Sequence, residues 1–275
     1  MAFGGENAES YYDEGLTASM KGDLTQAIAH FEHALKLDPK LYTAVHQLGR
    51  CYQRLGDLQR AGRLLHQVLT AKPDMIPARV DYGFILLELG HVQRARGIFS
   101  EVASARPQNT RAHLGLATCA FHEGQWAAAV QLAQESINLG GANFSAFFLL
   151  GRAANLVGDI GLSTEALGRA EKMIEKSIET NPDAPEGYYL RGEVLFAQEN
   201  YGKALESYTE AVRRGGLDKH YSAFGERFTL VDMLSKRGLC QRKLGDEDGA
   251  RKTGDAILKL DPENKLGHTL KEPAG

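Results

Sequence analysis

The sequence predicts an all-α solenoid of about seven helix–turn–helix units, and three observations carry that expectation. The first is a period. Gly22-Asp23, Ala27, Phe31, Ala34 and Pro39 return thirty-four residues later as Gly56-Asp57, Ala61, Leu65, Val68 and Pro73, then as Gly90, Ala95, Phe99, Val102 and Pro107. A fixed period of this length marks one supersecondary unit stacked on copies of itself. The second is that apolar residues within each copy recur at helical spacing, with no strand-like alternation. The third is punctuation: a glycine closes the first helix of the copy and a proline stops the second.

With each unit numbered 1–34, the first spans 8–41, with Gly15 at position 8, Ala27 at 20, Phe31 at 24 and Pro39 at 32. The second, 42–75, places Leu48-Gly49, Ala61, Leu65 and Pro73 likewise, and the third, 76–109, places Tyr82-Gly83, Ala95, Phe99 and Pro107. The fourth, 110–143, is weaker, with Ala117, Ala129, Ala133 and Gly140-Gly141 in place of the proline. In the fifth, from 144, Gly151, Ser163 and Leu167 keep register, but the proline arrives seven residues late at Pro182. Seven residues are two helical turns, so the apolar stripe stays in phase and one long second helix is expected over roughly 159–180.

The sixth unit, 185–218, restores Gly192, Ala204 and Tyr208. An insert, 219–230, follows. Tyr221, Phe224 and Phe228 fall at i, i+3 and i+7, one face of a helix, so the insert is expected to extend the next helix or to pack beside it as a flap covering the groove. The seventh unit, 231–264, keeps Gly238 and Ala250, but Gly254 stands where a large apolar residue is due. Residues 1–7 and 265–275 read as tails, the latter fraying.

The physical reason for each signature position is steric. Positions 8 and 20 are small because the two helices of a unit touch there. Positions 4, 7, 11, 24 and 27 fill the space between helices.

These residues resemble the tetratricopeptide repeat. The resemblance implies a right-handed superhelix whose inner side is lined by positions 2, 5, 9 and 12 of each first helix. The candidate partner-binding residues on that side are Tyr12, His46, Arg50, Phe84, Leu87, Leu114, Phe121, Phe148, Arg152, Asn155, Tyr189 and Phe196. They make the trough apolar and aromatic in its middle, with Arg50 and Arg152 on either side of it, and apolar side chains on a nominally solvated face mark an interaction site. The best-known subgroup of the family clamps a C-terminal carboxylate through Lys and Asn. Tyr12, Leu16, His46 and Arg50 stand at those positions here, which argues against chaperone-tail binding. The asparagine ladder of the sugar-transferase superhelices is missing too, since Asn155 stands alone at its position.

Composition narrows the function further. Hydrophobic residues make up 43% and charged residues 24%, as in a folded soluble protein. Residues 1–143 carry 13 basic and 14 acidic residues and 144–275 carry 19 and 21, so no basic excess is present to neutralise a nucleic-acid backbone. No apolar run reaches the ~18 residues that span a bilayer, and the start lacks a secretory pattern, so a cytoplasmic protein is expected. No phosphate loop, paired Cys-x-x-Cys or His-Glu-x-x-His is present, so no catalytic residue, cofactor or metal is assigned. His30 and His33 read as surface residues, Trp126 as a packing residue, and Cys51, Cys119 and Cys240 as small reduced packing residues at position 10. The function expected is a non-enzymatic adaptor that holds a peptide or helix of a protein partner. The alternative is a structural solenoid that forms homo-oligomers.

Overall fold

The computed structural model describes residues 7–217, 219–223 and 226–272. Residues 1–6 of the expected N-terminal tail, Phe224 of the insert and residues 273–275 lie outside the described residues. The chain is an all-α solenoid of antiparallel helix pairs, divided into two compact units, the first ending at Gln125 and the second beginning at Trp126.

The first unit holds α1 (Ala8–Met20), α2 (Leu24–Leu37), α3 (Tyr42–Arg54), α4 (Leu58–Ala71), α5 (Ile76–Glu88), α6 (Val92–Ala105) and α7 (Thr110–His122). The turns between paired helices follow from their Gly-Asp sequences. Gly22, Gly56 and Gly90 sit at φ of +84°, +85° and +79°, a region that costs glycine nothing. The aspartates that follow Gly22 and Gly56 then cap the next helix: Asp23 accepts from the Gln26 amide and Asp57 from the Arg60 amide, both at 3.0 Å.

Packing explains positions 8 and 24 as a matched pair. A Cβ at Gly15 would lie 2.6 Å from the Phe31 ring, and one at Gly83 would lie 2.7 Å from the Phe99 ring. Phe31 and Phe99 are fully buried, and each contributes about 1.5–3 kcal/mol through burial. Ala27, Ala61 and Ala95 at position 20 are buried without any exposure.

The second unit holds α8 (Trp126–Ser136), which closes in a π turn over Ile137–Gly141, then α9 (Phe144–Leu156) and α10 (Ile160–Thr180). It continues with α11 (Pro185–Ala197), α12 (Tyr201–Arg214), β1 (Tyr221–Ala223), β2 (Glu226–Phe228), α13 (Leu230–Lys243), α14 (Glu247–Leu260) and α15 (Lys265–Lys271). Gly151 against Leu167 and Gly192 against Tyr208 repeat the 8–24 pairing, with Cβ clearances of 2.6 and 2.5 Å. In the sixth repeat Glu199 takes the left-handed turn position at φ +58°, where the other turns use glycine. Trp126 is 40% exposed, so it is not the packing residue the sequence suggested.

Of the two alternatives for the insert, the helical extension is corrected: α13 begins only at Leu230, and β1 and β2 pair antiparallel, with Tyr221 opposite Phe228. The tail from 265 does not fray over its described part, because α15 packs on α13 and α14 through the buried Leu270. That helix accounts for Gly254. A Cβ there would lie 2.7 Å from the Gly267 carbonyl, and Leu270 reaches within 2.4 Å of a Cβ on Gly238. Leu270 therefore fills, from the next helix, the space that position 24 fills in the other repeats.

Candidate functional site

In the first unit the first helices of three consecutive repeats, α3, α5 and α7, meet around Asp81, on α5. Its side chain is 4% exposed, and burying an ionised carboxylate is costly unless it is paired. Three groups pair it. His46 Nε2 on α3 lies 2.7 Å from Oδ2, Arg111 on α7 donates to Oδ1 at 2.5 Å, and Arg50 Nε on α3 lies 3.8 Å away. Burial pushes the Asp81 carboxyl up, but the His46 hydrogen bond and the Arg111 guanidinium together hold it below the usual carboxylate range. The ionised carboxylate can only accept, so His46 presents Nε2–H to it. Arg50 and Arg111 each remain 53% exposed, so the cluster carries a positive surplus toward solvent.

Aromatic groups border this cluster. Arg111 lies over the Phe84 ring at 5.3 Å, and Phe84 packs edge-on against Phe99 at 5.0 Å. Phe84 and Phe121 are half-buried, whereas His46, Leu87 and Leu114 are buried. Those three belong to the wall of the site rather than to its open surface. Tyr12 is half-buried against Phe31, with ring centroids 5.9 Å apart. Beside the cluster, Gln53 donates to Glu88 at 2.6 Å.

In the second unit the predicted residues separate into two groups. On α9, Arg152 is exposed over the ring of buried Phe148 at 5.3 Å, and Asn155 is exposed. On α11, Tyr189 is buried beneath the insert, with the Phe228 ring stacked on it at 3.8 Å. Phe196 is half-buried, with Lys236 Nζ 5.8 Å from its ring centre, and the same ammonium bonds Glu193 at 2.8 Å. Tyr208 also donates to Glu193 at 2.6 Å, and burial together with that carboxylate raises its pKa well above the usual tyrosine value. Tyr189 and Phe196 are thus engaged by the chain itself.

Sequence reasoning missed Asp81 and Arg111, which stand at positions 6 and 2 of consecutive repeats. The available signal was their opposite charge at a spacing that puts adjacent first helices face to face. Cys51, Cys119 and Cys240 are buried free thiols. Among the described residues no group of His, Cys, Asp and Glu is arranged to hold a metal, and no helix is long and apolar enough to cross a membrane.

This arrangement defines a helical-repeat protein whose first helices present charged and aromatic side chains to one another. Tetratricopeptide repeat models match residues 18–74, 54–103 and 86–139, and another match covers 158–218. The chain belongs to the tetratricopeptide repeat family. It is 27% identical over 103 residues to the Hsp70-Hsp90 organizing protein of Triticum aestivum, a match covering 38% of this chain and 16% of that relative. The chain thus spans only a small part of that relative's length. Among solved structures, a tetratricopeptide repeat protein from Parabacteroides merdae superposes with a TM-score of 0.58 at 15% identity, covering 97% of this chain and 98% of that one. The APC/C hetero-tetramer Cut9-Hcn1 gives a TM-score of 0.66 at 18% identity, covering 94% of this chain and 47% of that one. At these identities the likeness is one of fold.

Proposed function

We propose that the protein is a non-enzymatic, cytoplasmic adaptor that holds a peptide or helix of a protein partner on the inner row of its first unit. The observation that supports this reading is the charge arrangement at Asp81. One buried carboxylate faces two half-exposed guanidiniums, whose remaining N–H donors suit an acidic side chain or a chain terminus. Phe84 supplies apolar contact beside them, Phe121 extends the aromatic surface further along α7, and Arg152 over Phe148 offers a similar pairing in the second unit. The wheat relative's name describes an organiser of Hsp70 and Hsp90, which accords with a scaffold role. Chaperone tails are not the partner proposed, because Tyr12, Leu16, His46 and Arg50 stand where that clamp carries Lys and Asn.

Capture from native lysate with the wild-type chain and with Arg50→Glu/Arg111→Glu, run side by side, tests the reading. A partner retained by the wild type and lost by the variant supports it, and equal retention contradicts it. Light scattering separates the structural alternative: assembly into homo-oligomers that the same variant abolishes would assign the row to a second copy of the chain.

A further inference from the structure

The insert raises a question that the first-unit site does not answer: what its hairpin does on the inner row of α11. Each of its strands has three residues, and a two-stranded ribbon of that size is marginal alone in water. Its order must come from what it packs on. Phe228 is 2% exposed and lies flat on Tyr189, with centroids 3.8 Å apart and planes 16° apart. Tyr221 stacks on Phe228 in turn, at 5.8 Å and 20°. The Gly216 amide donates to Tyr221 Oη at 2.7 Å and ties the first strand to the end of α12. Phe228 also immediately precedes Thr229, which caps α13 through a reciprocal bond pair with Asp232.

Tyr189 stands at position 5, the same row that carries His46 in the first unit. In α11 that row is therefore filled by an aromatic side chain presented on an extended strand. We propose that the hairpin is a tethered ligand: the Tyr189 surface is a recognition site for an aromatic residue on an extended peptide, and Phe228 occupies it until a competing strand displaces it. The chemistry is read from the occupant itself. Ring stacking supplies the contact energy, and the extended strand that carries Phe228 sets the backbone form of the ligand. This site is separate from the Asp81 cluster, so either can fail without the other.

The experiment uses the full chain and a synthetic peptide of residues 219–230, labelled for fluorescence anisotropy. The wild type, closed by its own hairpin, should bind the peptide weakly. Phe228→Ala should bind it at least tenfold more tightly, and adding Tyr189→Ala should abolish the gain. A peptide with alanine in place of its own Phe228 should not bind. Native-state hydrogen exchange of the wild type provides an independent reading. The amides of Tyr221 and Phe228, the pair that exchanges hydrogen bonds across the ribbon, should exchange at least a hundredfold faster than those in the middle of α11. Phe228→Ala that unfolds, a peptide that binds regardless of Tyr189, or hairpin amides that open only together with α11 would each overturn the proposal and make the hairpin a fixed structural plug.

Discussion

Leu270 and Gly238 offer a stringent test of how the last repeat is closed. Leu270 is 2% exposed, so Leu270→Ala should cost about 2–5 kcal/mol, the range for emptying a core leucine site. Gly238 lies in the middle of α13, where alanine is worth about 1 kcal/mol over glycine in helix propensity. Here the propensity gain loses, because the new Cβ would lie 2.4 Å from Leu270 Cδ1 and 3.2 Å from Thr253 Cγ2. Overpacking of that kind costs about 1–3 kcal/mol. In the double variant the leucine methyls are gone and the alanine enters vacated space. Its destabilisation should fall short of the sum of the singles by about 1–3 kcal/mol. Urea denaturation followed by circular dichroism, with hydrogen exchange of α14 amides to localise the effect, measures all three variants. Additive losses would refute the claim that Leu270 replaces the missing side chain at Gly254.

Glu199 holds a left-handed turn that glycine holds elsewhere, so Glu199→Gly should stabilise the chain by about 1 kcal/mol and Glu199→Ala should not; an unchanged urea midpoint for the glycine variant would contradict this. The Asp81 carboxyl is held below its unfolded value, so its contribution is complete above about pH 4 and is lost as pH falls through the folded value. Asp81→Asn should cost about 2 kcal/mol at pH 7 and flatten the stability curve below pH 4, whereas parallel curves would remove the carboxylate from the account. Burial pushes the thiols of Cys119 and Cys240 up to about 11 and about 12 and raises Cys51 as well. Native protein at pH 8 should resist alkylation and react at all three cysteines once unfolded, and stoichiometric labelling of the native chain would count against this burial.

The repeat was legible in the sequence because its signature residues are steric. Only a small residue fits at Gly83 against Phe99, and that constraint recurs at every copy that supplies both partners. The hairpin was misread for an equally physical reason. A spacing of seven puts Tyr221 and Phe228 on one helix face, but it also makes them cross-strand partners when a turn lies midway between them. The helix α15 escaped because its anchor, Leu270, lies outside the repeat, and Gly254 was its one visible trace. Around Asp81, the position rule named Arg50 and Phe84 but treated position 5 as open surface. His46 and Leu114 instead turn inward, and Asp81, one residue beyond the rule, is what holds Arg50 and Arg111 in place.

The central claim is that the inner row of the first unit binds an acidic partner segment through Arg50 and Arg111. Calorimetric titration of the captured partner's peptide tests it most directly, using the wild type, Arg50→Ala/Arg111→Ala, and Arg213→Ala, whose guanidinium pairs with Glu210 on its own helix. The double variant should lose at least tenfold in affinity, the control should keep wild-type affinity, and the salt dependence should disappear with the two guanidiniums. Equal affinity and equal salt dependence in all three proteins would contradict it.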